Sequence, residues 1–146
     1  MNISARLEGD SDTLSVHLET AGIPKTLTLP PKTSGGGAAV SGGEMLLLAL
    51  ATCYYNDLYR EATRRNMQLD GVEVTVEAVF GGEGEPAQRI SYGVRVTAPR
   101  HGESDIEGLV RHVDRIAEVH NTLRRGIPVS LEPLRNQTQP ATLPYS

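Results

Sequence analysis

A single long helix is the feature that most constrains how this chain can fold. The predicted helix begins at Ser41 and ends near Arg65. Ser41 and Glu44 match a capping box, in which each side chain accepts a hydrogen bond from the other residue's backbone amide. Residues 45–50 are apolar on every side, which predicts burial all round. The helix is roughly 35 Å long at ~1.5 Å per residue, and Cys53, the only cysteine, lies near its middle.

Composition limits the class of protein and its partners. The 146 residues suit one domain with a hydrophobic core. A net charge of −4 argues against a nucleic-acid partner, because phosphate binding needs a basic surface. No apolar run reaches the ~18 residues that span a bilayer, and the N-terminus does not resemble a secretion signal. A lone cysteine excludes an intrachain disulfide and an all-cysteine metal cluster. We expect a soluble, cytoplasmic protein without a membrane partner.

Strand patterns lie on both sides of the long helix. Alternating apolar residues predict strands at 2–8, 13–20, 24–29, 72–80 and 90–96. The last two form a long antiparallel hairpin around the turn 81–86. Strands dominated by hairpins, with helices inserted between them, indicate an α+β fold.

The C-terminal third predicts more helix and one more strand. Ser104 and Glu107 match a second capping box, followed by apolar residues at helical spacing. Asn121 as cap and Gly126 as terminator predict one further helical turn. Residues 127–131 alternate and predict a final strand.

The domain organisation is simple. We predict a single domain over residues 1–134 and a polar tail over residues 135–146, which we expect only a partner subunit to fix. Few strands are available to cover the apolar turns at 45–50. A homodimer that shares a core around this helix would cover them.

Two segments resemble the OsmC/Ohr family, which includes thiol-dependent organic hydroperoxide reductases. The segment Glu44–Cys53 (EMLLLALATC) is similar to the family's apolar helix leading into its reactive cysteine. The segment Val119–Val129 (VHNTLRRGIPV) is similar to the stretch that follows the family's second cysteine. The resemblance implies an intertwined homodimer, with antiparallel sheets wrapped around the central helices and sites at the subunit interface. It also implies that Cys53 is the residue that reacts with peroxide.

The chain departs from the family pattern at three places. Aligning the second segment puts Ala117 where the family has its second cysteine. The family's glutamate corresponds to Gly43, so Glu44 is the neighbouring carboxylate. For the family's arginine on an N-terminal loop, the loop 30–43 offers only Lys32.

The thiol chemistry identifies the candidate site residues. A thiolate attacks a peroxide oxygen and becomes a sulfenic acid, which requires a lowered pKa and a cation or donor near the leaving oxygen. Arg60, two turns after Cys53 on roughly the same face, is a candidate cation, as are Arg115 and Arg124. Asp57 would oppose ionisation if it faced the thiol. The alternative is that Cys53 is a small buried hydrophobe.

Other motifs are less informative. The Gly-rich loop before the helix lacks the Gly-Lys-Ser/Thr of a phosphate-binding loop and has Glu44 instead. His17, His101, His112 and His120 are predicted to be exposed, although His112 or His120 with Cys53 could act in hydrolysis or acyl transfer. No zinc-ligand spacing is present.

Two functions therefore remain open. The first is a one-cysteine hydroperoxide reductase, with Cys53 as nucleophile, Glu44 and Arg60 as supports, no cofactor, and an external thiol as reductant. The second is a non-catalytic member of the family that binds a small apolar ligand at the dimer interface. A purely structural protein would show neither property.

Overall fold

Residues 1–134 fold as two antiparallel sheets and three helices. The computed structural model describes residues 1–134. The elements are β1 (Ile3–Gly9), β2 (Leu14–Thr20), β3 (Ile23–Lys25), α1 (Gly42–Arg64), β4 (Gly71–Phe80), β5 (Ala87–Thr97), α2 (Glu103–Ile116) and α3 (Glu118–Arg125). The predicted α+β class, the long central helix and the β4–β5 hairpin are confirmed.

The start of α1 is as predicted. Ser41 is the N-cap, and the reciprocal capping box with Glu44 is present. At the other end Arg65 is the C-cap, and Asn66 adopts a left-handed conformation with φ 53°. The helix thus begins and ends within a residue of its predicted limits.

The core lies between α1 and the elements that follow it. Its fully buried members are Tyr54, Leu58, Ala62, Leu109, Val113 and Ala117. Alternate residues of β4 and β5 pack against this cluster, because successive side chains of a strand point to opposite faces of the sheet. Cys53 also packs against it. The middle of α1 is therefore the buried centre of the molecule.

The first sheet is largely separate from this core. Its strand order is β1-β2-β3. In the described part of the chain, it packs against no other helix or strand by more than an isolated contact. Every residue of β1 is exposed, including Ile3 and Leu7. One chain alone does not bury this sheet.

Several local predictions were wrong. Residues 45–50 are not buried all round, since Leu48 is 64% exposed and only Leu50 is fully buried. The third strand is β3 alone and does not extend to residue 29. Helix α2 begins one residue before Ser104, with Gly102 as N-cap and no side-chain capping bond.

The predicted strand at 127–131 is absent, and Val129 is fully exposed. A strand needs a hydrogen-bonding neighbour, and residues 1–134 of one chain supply none at this point. Helix α3 begins at Glu118 with Ala117 as N-cap, so the prediction of Asn121 as its cap was wrong. Its predicted terminator Gly126 is the C-cap and takes the left-handed conformation (φ 62°) favoured by glycine. The predicted tail, residues 135–146, lies outside the described residues.

Candidate functional site

Cys53 lies at the boundary between the core and the open surface of α1. Its side chain is partly buried and packs against the core cluster that contains Tyr54, Leu58 and Ala117. Among residues 1–134 the sulfhydryl group makes no hydrogen bond. Ala117, at the position of the family's second cysteine, is completely buried at the junction of α2 and α3.

The guanidinium of Arg60 is bonded to carboxylates. Its Nη1 donates to Asp57 Oδ1 at 2.7 Å, and its Nε donates to Glu61 Oε1 at 3.1 Å. The bond to Glu61 raises the pKa of Arg60, so the side chain is firmly charged. The described contacts therefore place Arg60 with its acidic neighbours on α1 and show no bond between it and Cys53.

The two carboxylates are buried and paired. Asp57 is 7% exposed and Glu61 5% exposed. Glu61 Oε1 also accepts a hydrogen bond from Nη1 of Arg64 at 2.7 Å, and Glu61 Oε2 lies 3.2 Å from Nε2 of His112. Burial pushes the pKa of Glu61 up, but its bonds with the two arginines and His112 outweigh that effect and hold the pKa below its usual value. Because each acid has a cationic partner, the cluster one turn after Cys53 is close to neutral.

Glu44 acts as a helix cap in this structure. Its Oε1 accepts the Ser41 backbone amide at 3.0 Å, and that bond lowers the pKa of Glu44. Glu44 precedes Cys53 by nine residues on one helix. That separation corresponds to about 14 Å along the axis. Within one chain the two side chains are therefore not brought together.

A Cβ atom built at Gly43 would lie 3.4 Å from the ring of Phe80. Gly43, which corresponds to the family's glutamate, thus lies next to the end of β4.

His120 is a buried residue that the sequence prediction placed on the surface. It is 4% exposed, and its ring lies 4.8 Å from the ring of Tyr92 and 5.9 Å from that of Tyr54, measured between centroids. Burial lowers the pKa of His120, with the charge of Arg124 acting in the same direction. The prediction missed a usable signal, because His120 continues the helical spacing of the buried residues Val113 and Ala117.

Neither ring nitrogen of His120 has a hydrogen-bond partner within residues 1–134. The ring lines a cavity of about 130 Å³ whose other lining residues are Leu50, Ile90, Tyr92, Leu123 and Arg124. Leaving a buried polar group unpaired costs about 1–3 kcal/mol. This cavity is therefore the place where the described structure leaves buried hydrogen-bonding capacity unused.

The polar edge of this cavity is held by Asp114. The hydroxyl of Tyr92 donates to Asp114 Oδ1, and Nη2 of Arg124 donates to the same oxygen at 2.6 Å. The bond from Tyr92, together with Arg124, lowers the pKa of Asp114. Arg124 is therefore paired and does not bond to Cys53, and Arg115 is exposed on α2.

A second cavity, of about 440 Å³, lies between the first sheet and the start of α1. Its walls are mainly aliphatic and come from the first sheet, the segment that follows it and the start of α1, with Leu7, Leu18, Leu29 and Met45 among them. Lys32 and Arg6 are its two charged lining residues.

Metal and membrane sites are not indicated by the described residues. Within residues 1–134, no group of three or more His, Cys, Asp or Glu side chains could hold a metal ion. No helix among them is both long and apolar enough to cross a bilayer.

Of the other histidines, His17 is exposed as predicted and bonds to Glu8, whereas His101 is partly buried and accepts a hydrogen bond from the backbone amide of Gln68.

These features define an α+β protein built around a central helix that carries one thiol. A model of the family described as OsmC-like protein matches residues 35–132. This match covers more than half of the chain, and the chain therefore belongs to the OsmC-like family.

Solved structures of the same fold support the assignment. An OsmC-like protein from Mycoplasma pneumoniae is 22% identical, with a TM-score of 0.58 over 84% of this chain and 86% of that one. A hypothetical protein from Aquifex aeolicus VF5 is 12% identical, with a TM-score of 0.61 over 86% and 89%. An organic hydroperoxide resistance protein OsmC from Legionella pneumophila is 20% identical, with a TM-score of 0.52 over 85% and 90%. No curated protein sequence matches the chain.

Proposed function

We propose that this protein is a homodimeric, one-cysteine, thiol-dependent organic hydroperoxide reductase that acts in oxidative-stress defence. The observation that carries the proposal is the position of Cys53, partly buried on α1 and in contact with the cluster that contains Ala117. The resemblance to the OsmC/Ohr family suggests the reaction class, and the Legionella protein is described as an organic hydroperoxide resistance protein and predicted redox protein. A cytoplasmic location is part of the proposal, because that compartment keeps thiols reduced.

The reaction uses the sulfur as nucleophile. The Cys53 thiolate attacks the terminal oxygen of a hydroperoxide ROOH, and the O–O bond breaks as the S–O bond forms. The alkoxide leaves and takes a proton to become the alcohol ROH. The sulfur is oxidised to sulfenic acid and the peroxide is reduced. No metal or organic cofactor is required for this step.

Recycling requires a thiol from outside the chain. Cys53 is the only cysteine, and Ala117 cannot resolve the sulfenic acid. One external thiol attacks the sulfenic sulfur, which gives a mixed disulfide and water. A second external thiol attacks the mixed disulfide, which releases an external disulfide and regenerates Cys53.

The roles of Arg60 and Glu44 depend on assembly. Arg60 is two turns from Cys53, and its side chain is 46% exposed. Because it is bonded to Asp57 and Glu61, it could stabilise the leaving oxygen only if a bond to that oxygen replaced one of these two bonds. Glu44 is too far along α1 from its own Cys53. It can support a thiol only if the second copy brings its own Glu44 to the site.

Exposed apolar surface supports the homodimer. Leu48, Ile23 and Leu7 are each more than half exposed, and so are Ile127 and Val129 at the end of the domain. These apolar side chains on the first sheet, on α1 and after α3 are the surface that a second copy would cover. We expect sedimentation velocity to show a dimer that Leu48→Glu weakens and Ser15→Glu, on the exposed polar face of β2, does not. A monomer at all concentrations would contradict the assembly.

The enzymatic proposal is tested with cumene hydroperoxide and dithiothreitol. We expect wild-type protein to consume peroxide and to form a sulfenic acid that a dimedone probe traps. Cys53→Ser should reduce consumption to the uncatalysed rate, whereas Thr52→Ser, at the exposed neighbouring position, should retain it. Equal consumption by wild-type protein and Cys53→Ser would exclude the activity.

A second candidate function is binding of a small apolar ligand. The 440 Å³ cavity supports it, since its size and aliphatic lining are typical of ligand pockets. One experiment distinguishes the ligand-binding function from the reductase function. A ligand-binding protein would take up an apolar dye that Leu18→Glu excludes, and it would show no sulfenic acid at Cys53.

A further inference from the structure

We propose that the cavity beside His120 is a binding site for a small, neutral hydrocarbon that carries a hydroxyl group, with His120 as the residue that recognises the hydroxyl. The site does not include Cys53 and does not depend on the reductase function. Two observations carry the proposal, namely the unpartnered buried imidazole and the cavity that it lines.

The imidazole defines the polar part of the ligand. A neutral histidine offers one N–H donor and one nitrogen acceptor, and here both are free within residues 1–134. A hydroxyl group both donates and accepts, so it can pair with either tautomer. A buried cation is a poor match because Arg124 lies at the same cavity and is itself positive.

The charge around the cavity argues against an anionic ligand. Arg124 is already bonded to Asp114 through its Nη2 and to the Asp114 backbone carbonyl through its Nη1. Burial lowers the pKa of His120, so the imidazole is uncharged at neutral pH. Among residues 1–134, no unpaired positive charge therefore lines the space, and a neutral head group is the better match.

The remaining walls define the apolar part of the ligand. Leu50 and Leu123 contribute aliphatic surface, and Ile90 contributes more from β5. A volume of about 130 Å³ is close to that of engineered cavities that hold benzene. The site therefore suits a single ring or a short branched chain.

The experiment uses phenol and toluene, which have the same number of non-hydrogen atoms and differ in the hydroxyl group. Binding is followed by NMR through the methyl signals of Leu50 and Leu123 and through the ring nitrogens of His120. We expect phenol to shift all of these signals saturably in wild-type protein. Toluene should shift the methyl signals, but it should not cause the shift of the ring-nitrogen signals that a hydrogen bond causes.

Variants separate recognition from simple filling of space. In His120→Phe, phenol affinity should fall about tenfold, as expected for loss of one buried hydrogen bond, while toluene affinity does not fall. The matched control His17→Phe, at an exposed histidine, should bind phenol as wild type does. Cys53→Ser should also bind it unchanged, so failure of the reductase proposal would leave this result intact.

Several outcomes would overturn the proposal. The proposal would be overturned if phenol caused no saturable shifts. It would also be overturned if His120→Phe lowered the affinities for phenol and toluene equally. The first result would also follow if water or a side chain of a second copy filled the cavity. If His120→Phe does not fold, the ring-nitrogen response of wild-type protein to the two probes decides the question alone.

Discussion

The hydroxyl of Tyr54 donates a hydrogen bond of 2.8 Å to the backbone carbonyl of Val110. This bond joins α1 to α2 at the residue next to Cys53, and the Tyr54 side chain is completely buried. Burial, together with the charge of Asp114, raises the pKa of the Tyr54 hydroxyl, which therefore stays protonated and remains a donor. The bond therefore helps to hold the turn of α1 that carries the thiol against α2, alongside the contact between Glu61 and His112.

Removing this hydroxyl should destabilise the fold. We expect Tyr54→Phe to lower the free energy of unfolding by about 1 kcal/mol, because a buried hydrogen bond is lost while the ring packing is kept. Urea denaturation measures the change. Tyr55→Phe, on a ring that is 41% exposed, should change stability by less than about 0.5 kcal/mol. Equal effects of the two substitutions would show that the bond to Val110 does not contribute.

A second cysteine at Ala117 should restore an internal resolving thiol. Ala117 belongs to the cluster against which Cys53 packs. We expect Ala117→Cys to form an intramolecular disulfide with Cys53 when treated with one equivalent of cumene hydroperoxide, as measured by intact-protein mass and free-thiol titration. Ala98→Cys, at a buried alanine outside this cluster, is the control and should form none. If Ala117→Cys also forms no disulfide, the assigned correspondence between Ala117 and the family's second cysteine is incorrect.

The stability of the protein should fall on mild acidification because of His120. The pKa of His120 is lowered from 6.5, mainly by burial and secondarily by Arg124, whereas Asp114 and Asp57 act in the opposite direction. Below pH 6.5 the unfolded chain takes up a proton that the folded protein does not, so the free energy of unfolding decreases. The loss continues until the pH falls below the lowered pKa of the folded state.

This pH dependence is measurable by urea denaturation between about pH 7 and pH 5. His120→Phe should remove the part of the decrease that begins near pH 6.5, and His17→Phe should leave it in place. The idea would be wrong if His120→Phe lost stability over this range in parallel with wild-type protein and His17→Phe.

The capping box allows a test of Glu44. Ser41→Ala removes the N-cap hydroxyl and should cost about 1 kcal/mol of stability, yet it leaves the Glu44 carboxylate in place. Glu44→Gln removes the charge instead. If Glu44 supports catalysis across the interface, peroxide consumption should fall in Glu44→Gln and stay near wild type in Ser41→Ala, at matched folded fractions. Equal activities in the two variants would leave Glu44 with a capping role alone.

Local sequence patterns predicted the fold well wherever the determining interactions are local. The capping box at Ser41, the β4–β5 alternation and the stop at Gly126 each depend on neighbours in the sequence, and each is present. The family resemblance also placed Cys53 on the central helix. These features follow from hydrogen bonds and periodicity that a single segment contains.

The errors arose where distant contacts decide the outcome. The spacing of its segment placed His120 on the buried face, but it could not identify the rings from α1 and β5 that surround it. The bonds of Arg60 go to Asp57 and Glu61, which its helical spacing from Cys53 did not reveal. Residues 127–131 have the pattern of a strand without a neighbouring strand in the described chain. In physical terms, a periodic pattern shows which face is apolar but does not identify what covers it.

The close approach of Gly43 to Phe80 has a consequence for any attempt to place the family's glutamate at this position. A Cβ atom there would lie 3.4 Å from the aromatic ring, an ordinary van der Waals distance, so a longer acidic chain would extend beside that ring. Phe80 is 48% exposed and could swing outward, but the move would give water more of an aromatic face. An acid at this position would therefore share its surroundings with a half-exposed ring, and comparing Gly43→Glu with Gly43→Glu together with Phe80→Ala would separate the effect of the charge from that of the ring.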